Sequence, residues 1–301
     1  MNRKQPIGLI HSTIFWGFIV ITIGTLEQFV STLYVRANFG FIGHPAYSTL
    51  VRVQDFFMTA ILVAVVGAFY RRLVVRPPGL GKSLDANIVL IFTGSLMIAI
   101  LFMNAFFILG YHPWFATSMP VSNFVSGILS GYRFSPSTSR DLYTFWKWVH
   151  MLLVLGFAMY IPSSKHLHLV AAGPNSFLKR LVREKPMTPI DFTDESITQY
   201  GAAKITDLSW KDALDYYSCT ECGRCQDLCP AWNTGKELSP KKLVMDLKTN
   251  LYRNKTAILS GKDEEVGPIL DDRVTEGVIW ACTSCRACEI ACPVFIQQVD
   301  K

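Results

Sequence analysis

The chain has 301 residues, 50% of them hydrophobic and only 17% charged, with a mean hydropathy of +0.27. Soluble domains carry nearer to ~25% charge, which argues against a wholly cytosolic enzyme. The net charge of +6 sits among apolar runs and not in a basic groove, so a nucleic-acid binder is disfavoured. The charge is also uneven: residues 1–175 hold 12 Lys/Arg against 4 Asp/Glu, whereas residues 176–301 hold 17 against 19. The length allows two domains.

The chain opens on Met1-Asn2-Arg3-Lys4. The apolar stretch that follows is too long for a signal core and lacks a small-residue cleavage site, so no cleaved leader is expected. Four segments, at about 7–35, 53–75, 88–110 and 142–162, hold the ~20 apolar residues a bilayer span needs. The loop between the second and third carries Arg71, Arg72, Arg76 and Lys82. The stretch after the fourth carries Lys165, Lys179, Arg180, Arg183 and Lys185. The opposite side has Arg36, Arg52, Arg133 and Arg140 near its helix ends. The positive-inside rule then predicts a multi-pass protein of the cytoplasmic (inner) membrane, with lipid around residues 1–172 and both termini in the cytoplasm. The connection 111–139 is long enough for a short interfacial helix near 121–129. A linker is expected over 173–210, marked by Lys185-Pro186 and Thr188-Pro189. Residues 211–301 form the second domain, in which Ser239-Pro240 reads as the cap and first position of a helix through about residue 249.

All 8 cysteines lie between Cys219 and Cys292, in two copies of one pattern. The first is Cys219-Thr-Glu-Cys222-Gly-Arg-Cys225-Gln-Asp-Leu-Cys229-Pro230. The second is Cys282-Thr-Ser-Cys285-Arg-Ala-Cys288-Glu-Ile-Ala-Cys292-Pro293. Three thiolates two residues apart wrap one face of a cubane, and the fourth ligates the other cluster. Cluster 1 is expected on Cys219, Cys222, Cys225 and Cys292, and cluster 2 on Cys282, Cys285, Cys288 and Cys229. Zinc sites prefer pairs of cysteines to runs of three, and a cytoplasmic domain disfavours disulfides.

A membrane domain joined to cubane clusters calls for a second electron carrier. His150 and His168 lie 18 residues apart, five whole turns of one helix and about 27 Å along its axis, with Pro162 between them as a source of kinking. His11, at the cytoplasmic start of the first segment, matches the depth of His168, and the two are candidates to clamp one haem iron. His166 points elsewhere. His150 lies towards the outer side, where a second haem would need His44 or His112, from outer loops, as its partner. The alternative for His150 is a quinone contact. Glu27, a carboxylate inside a bilayer segment, lies at a similar depth, and the pair could pass protons to a quinone. Glu27 is about 160° around the helix from His11, so an ordinary interhelical hydrogen bond is the competing reading for it.

The segments His11-Ser-Thr-Ile-Phe-Trp-Gly-Phe and Trp148-Val-His150-Met-Leu-Leu-Val-Leu-Gly-Phe, with Pro162-Ser-Ser-Lys165-His166-Leu-His168, resemble the haem b (gamma) subunit of respiratory nitrate reductase. Together with Tyr70-Arg71-Arg72, Arg76-Pro77, the first cysteine motif and Ser239-Pro240-Lys241-Lys242, they resemble one fused group more closely. These are membrane-bound iron–sulfur proteins related to heterodisulfide reductase, including electron-transfer-flavoprotein:menaquinone oxidoreductases. The resemblance covers nearly the whole chain. It implies an all-α membrane domain with a four-helix haem b bundle, joined to a small cytoplasmic helical, ferredoxin-like domain with two [4Fe-4S] clusters. It also implies that His11 and His168 bind the cytoplasmic-side haem and that His150 binds an outer one. The histidine expected ten residues after His11 is Ile21 here, which puts the outer haem in question. Members of the group continue into a domain with paired-cysteine (CCG) motifs, absent here, so a fragment or a separate CCG-domain subunit is expected.

The expected function is a quinone oxidoreductase passing electrons from a soluble donor, electron-transfer flavoprotein, through the clusters and haem b to menaquinone. Two rivals use the same residues: a quinol-oxidising subunit feeding a heterodisulfide- or sulfite-reductase-type partner, and an anchor that only relays electrons. A transporter is disfavoured by the lack of an inverted repeat.

Overall fold

The computed structural model describes residues 7–34, 39–76, 83–181, 193 and 200–300. The linker markers Lys185-Pro186 and Thr188-Pro189, and Arg36, Lys82 and Arg183, lie outside the described residues. The described chain is helical, with one isolated antiparallel bridge between Lys204 and Pro268. It divides into two compact units, residues 1–164 and 165–301. The division falls ahead of residue 172 because the short helix that follows Lys165 packs with the cysteine-bearing part.

The first unit contains α1 (Ile7–Leu33), α2 (His44–Tyr70, continued by a π turn to Val75), α3 (Leu84–Tyr111), α4 (Pro120–Ser130) and α5 (Pro136–Tyr160). With its continuation counted, each of α1, α2, α3 and α5 is long and apolar enough to cross a membrane. Three of them start earlier than hydropathy indicates, α2 by nine residues, α5 by six and α3 by four. The start of α2 is set by Gly43 with Pro45 in its first turn. The start of α5 is set by the Ser135 hydroxyl, which accepts from the Thr138 amide, and by Pro136. Proline is preorganised for a first helical turn, where its missing N–H leaves nothing unpaired.

Helix α1 packs on α2 and α3 on α5, around a core of Ile21, Met58, Ile61, Val65, Leu96, Met97, Ile100 and Phe157. Trp16, Ile23, Leu26, Val63 and Leu152 face outward, as side chains in contact with lipid do. Gly17 sets the α1–α2 distance: a Cβ there would lie 2.7 Å from the Ile61 side chain. Small residues at such crossings let membrane helices approach closely.

The expected interfacial helix exists as α4, anchored by a buried carboxylate. Asp55, 1% exposed on α2, accepts from the Val121 amide (2.7 Å), the Ser122 amide (3.2 Å) and the Ser122 hydroxyl (2.5 Å). Ser118, Ser122 and Ser126 form a buried stripe where α4 meets α3 and α2.

The second unit contains α6 (His168–Phe177), α7 (Trp210–Ser218), α8 (Arg224–Asp227), α9 (Pro230–Asn233), α10 (Pro240–Leu259), α11 (Glu276–Trp280) and α12 (Ala287–Ala291). Its core joins Ile205, Tyr216, Val244, Leu247, Val266, Val274, Val294 and Ile296. The Ser239 cap is present, its hydroxyl accepting from the Lys242 amide and donating to Gln226 Oε1 at 2.7 Å. The helix it opens runs ten residues past 249, because Val244, Leu247, Asn250 and Ala257 keep one face buried.

One expectation fails outright. His150 and His168 do not share a continuous helix. α5 ends at Tyr160, 3₁₀ turns cover Ile161–Ser163 and Lys165–Leu167, and His168 opens α6. Pro162 lacks the N–H that would continue the ladder, so five-turn phasing between the two histidines does not apply.

Candidate functional site

The cysteine motifs repeat in backbone as well as in sequence. In each, the third and fifth positions adopt left-handed φ: Glu221 (52°) and Gly223 (77°) in the first, Ser284 (53°) and Arg286 (56°) in the second. Left-handed residues curl a chain so that successive amides point inward, a concavity suited to an anionic cluster. Each loop then enters a short helix, α8 or α12, and the two helices pack together. The fourth cysteines follow, at Cys229 ahead of Pro230 and Cys292 ahead of Pro293.

The fourth cysteines pack away from the sequence-adjacent thiols' own loops only in part. Cys219 and Cys292 pack against the same apolar core, and Cys229 is buried with Ala281, the neighbour of Cys282. Electrostatics agree. Cys225 and Cys292 both act on Cys219, Cys222 and Cys225 act on Cys292, and Cys282 acts on Cys288. Burial pushes the Cys219 and Cys288 thiols up to about 12. A metal must therefore displace a proton at each, as thiolate ligation requires. Two amides already point at sulfur: Ser284 N–H at Cys282 Sγ and Ile296 N–H at Cys292 Sγ, both 3.4 Å. Such bonds raise cluster potentials.

Helix α6 is tied to the first loop just ahead of its start, and to α7 and the segment after the second motif near its end. Lys165 Nζ donates to Glu221 Oε2 at 2.5 Å, between Cys219 and Cys222. Asn175, fully buried, donates to Asp215 Oδ1 (2.9 Å) and to the Val294 carbonyl (2.9 Å), and accepts from Lys211 (2.8 Å). Asp215 also accepts from Lys211 and from the Gln297 amide. His168, in the first turn of α6, has Nδ1 2.7 Å from the Lys165 carbonyl. A carbonyl only accepts, so Nδ1 carries the proton and Nε2 presents its lone pair, the tautomer that metal-ligating histidines adopt. This fits an axial haem ligand. His166 lies beside it, the rings 5.6 Å apart and 74° inclined. His11 is an exposed residue of α1 in the first unit.

The other histidines separate. His150 is 2% exposed inside the bundle. His44 is exposed and stacks on Trp114 at 4.1 Å, and His112 is an exposed, left-handed cap at the end of α3. His44 lies ten residues before Gln54 on α2, about 15 Å along the axis, and His112 eight residues after Asn104, about 12 Å. Gln54 and Asn104 line the same cavity as His150; His44 and His112 do not.

That cavity, about 200 Å³, lies within the first unit. Thr25, Glu27, Gln28, Gln54, Asn104, Tyr143 and His150 bring polar groups to it, with Ile21, Ile100 and Met119 among the apolar walls. Ile21, where the resemblance would place a second histidine, lines the same cavity and offers no ligand. Glu27 accepts from the Phe39 amide (2.8 Å) and the Tyr47 hydroxyl (3.1 Å). The structure thus brings Glu27 and His150 to one cavity, and it gives Glu27 the interhelical hydrogen bond as well. Sequence reasoning missed Gln28, Gln54 and Asn104. Their signal was present as polar side chains inside apolar segments.

Residues 218–296 match the family model of the 4Fe-4S dicluster domain. The chain is 34% identical, over 99% of its length and 46% of the relative's, to a Bacillus subtilis protein named "Probable iron-sulfur-binding oxidoreductase FadF". It is 32% identical, over 99% of its length and 45% of the relative's, to the "EtfAB:quinone oxidoreductase" of Syntrophomonas wolfei. A "Probable membrane-anchored ferredoxin" of Chromohalobacter salexigens is 34% identical over 36% of this chain and 18% of its own. The chain spans just under half the length of the first two relatives. No solved structure matches. The chain is therefore similar to iron–sulfur oxidoreductases and contains a 4Fe-4S domain attached to membrane-type helices.

Proposed function

We propose that this chain passes electrons from a reduced soluble donor, electron-transfer flavoprotein, through two [4Fe-4S] clusters and haem b to menaquinone. The observation that carries the reading is the pair of cysteine loops with matched left-handed backbone, in a segment that matches a 4Fe-4S dicluster domain, with Lys165, just ahead of the His168 helix, bonded to Glu221 of the first loop. The name of the Syntrophomonas relative supports both the donor and the quinone. When bound, the clusters and the haem supply one-electron carriers.

The chain's own residues hold and tune these groups. Cys219, Cys222, Cys225 and Cys292 hold cluster 1, and Cys282, Cys285, Cys288 and Cys229 hold cluster 2. His11 and His168 take the haem iron, the latter oriented by the Lys165 carbonyl. Cluster 1 is the neighbour of His168 in this reading, which the bonds from Lys165 to Glu221 and from Asn175 to Val294 support. Glu27 and His150 serve the protons that a quinone takes up, with Tyr47 and the α1–α2 connection beside Glu27. Both termini and the cluster domain lie in the cytoplasm, a reading that the basic loops support.

The test is optical. Detergent-purified protein is reduced anaerobically and mixed with menadione while the haem bands are followed. The reading expects a reduced b-type band that menadione reoxidises and that His168→Ala lacks. A reduced protein without that band, or a band indifferent to menadione, would overturn it.

A further inference from the structure

The bundle cavity contains two polar atoms that are buried and lack a hydrogen-bond partner among the described residues: Gln54 Nε2 and His150 Nδ1. Both residues line the same space. An unpaired buried polar group costs about 1–3 kcal/mol, and in a membrane no water from the bilayer core relieves it. Two such groups on one cavity mark a place where a ligand completes the bonding.

The neighbours fix what each atom offers. Thr25 has one hydroxyl proton, and Ile21 O lies 3.3 Å from it as acceptor. Thr25 Oγ1 therefore receives from His150 Nε2, 3.5 Å away. That leaves Nδ1 as an acceptor, while Gln54 Nε2 is a donor. The cavity thus presents a donor and an acceptor between apolar walls, in a volume suited to one ring system. The room for the Gln54 amide comes from Gly24, where a Cβ would lie 3.0 Å from Nε2.

We infer that this cavity binds the quinone head group. One ring oxygen accepts from Gln54 Nε2, and the other, as the hydroxyl of the reduced ring, donates to His150 Nδ1. This rests on the proposed quinone reaction and deepens it, adding Gln54 as the binding residue and Gly24 as the residue that makes room. The overall change is balanced. The ring gains two electrons from the carriers named above and two protons, each carbonyl oxygen becomes a hydroxyl, and nothing leaves. Glu27, bonded to Tyr47 and to the Phe39 amide of the α1–α2 connection, stands where protons enter from that side. Ile21 is part of the same device: an apolar wall opposite His150 leaves the imidazole to the ring.

The experiment is a binding titration on the full chain in detergent, using quenching of the fluorescence of 2-heptyl-4-hydroxyquinoline N-oxide, a quinol mimic. Wild type is compared with Gln54→Leu, His150→Gln and Gly24→Ala, with iron content and optical spectrum measured on each sample. The inference expects wild-type binding, and weakening of about tenfold, equivalent to about 1.4 kcal/mol, in Gln54→Leu and His150→Gln. Gly24→Ala, which only crowds the amide, is expected to weaken binding less, with iron and spectrum unchanged. Wild-type affinity in all three variants would overturn this site while leaving quinone chemistry elsewhere in the chain. No binding by wild type would overturn the quinone reading itself. Should Gln54→Leu fail to assemble, the other two variants decide between the same outcomes.

Discussion

Asn175 shows how one buried side chain can hold a unit together. It spends both amide hydrogens on Asp215 and Val294 and its oxygen on Lys211. Asn175→Ala would leave the Val294 carbonyl unpaired and Asp215 short of a donor, a cost of about 2–4 kcal/mol. Chemical denaturation of the holoprotein should show a midpoint shift of that size, and an unchanged midpoint would contradict it. Gly223 makes a cleaner case. Its φ is 77° and nothing lies within 4 Å of a Cβ placed there, so Gly223→Ala should cost only the left-handed penalty of roughly 1–2 kcal/mol. Iron content should stay at the wild-type value. The second motif tolerates Arg286 at the same position because its guanidinium pairs with Glu289 and Asp300, both at 3.0 Å. Asp271 carries a pH prediction. Burial alone would raise its pKa, but the Val274 and Arg273 amides and the Arg253 guanidinium together hold it below the usual carboxylate range. A lowered carboxylate contributes stability above its unfolded pKa of about 3.9 and loses it as pH falls through the folded value. The acid limb of the stability profile should flatten in Asp271→Asn.

Among the elements, α4 depends on a side chain from another helix. The Asp55 carboxylate takes the place of a cap, satisfying the Val121 and Ser122 amides. Asp55→Ala should leave both amides without their acceptor, costing roughly 2–4 kcal/mol and making 112–135 more accessible to protease in detergent. Equal proteolysis of variant and wild type would contradict this. The sequence also shows where local chemistry is legible. Ser239-Pro240 announced α10, and the apolar runs located four long helices. The starts of α2 and α5 were missed because hydropathy fades at Arg52 and Asp141, although Gly43-His44-Pro45 and Ser135-Pro136 carried the signal. The end of α10 was missed although Gly261 carried the signal: it is left-handed (φ 68°), and the Lys262 amide after it donates to the Ala257 carbonyl, a glycine helix stop. Pro162 was legible as an interruption, but the restart of the helix at His168 depends on packing that the sequence does not display.

For the whole molecule, the cysteine spacing made the metal chemistry readable before any geometry. The tandem motifs fall within the segment that matches a 4Fe-4S dicluster domain, and the exchange of Cys229 and Cys292 between clusters is the proposal that their spacing suggests. The membrane cavity was only half legible. Glu27 and His150 stood out as ionisable residues in apolar segments, whereas Gln28, Gln54 and Asn104 carry no charge and are separated by up to 76 positions along the chain. Their convergence is a property of helix pairing. The separation of His44 and His112 from the His150 cavity was not legible for the same reason: both sit at helix ends, and only the packed bundle shows that they do not line it. The central claim is that one chain holds two cubane clusters and one haem. It is tested most directly by iron, sulfide and pyridine-haemochrome stoichiometry on anaerobically purified protein. The account predicts about eight cluster irons and one b haem per chain, with the haem lost in His11→Ala and in His168→Ala. Eight irons with no haem would contradict it.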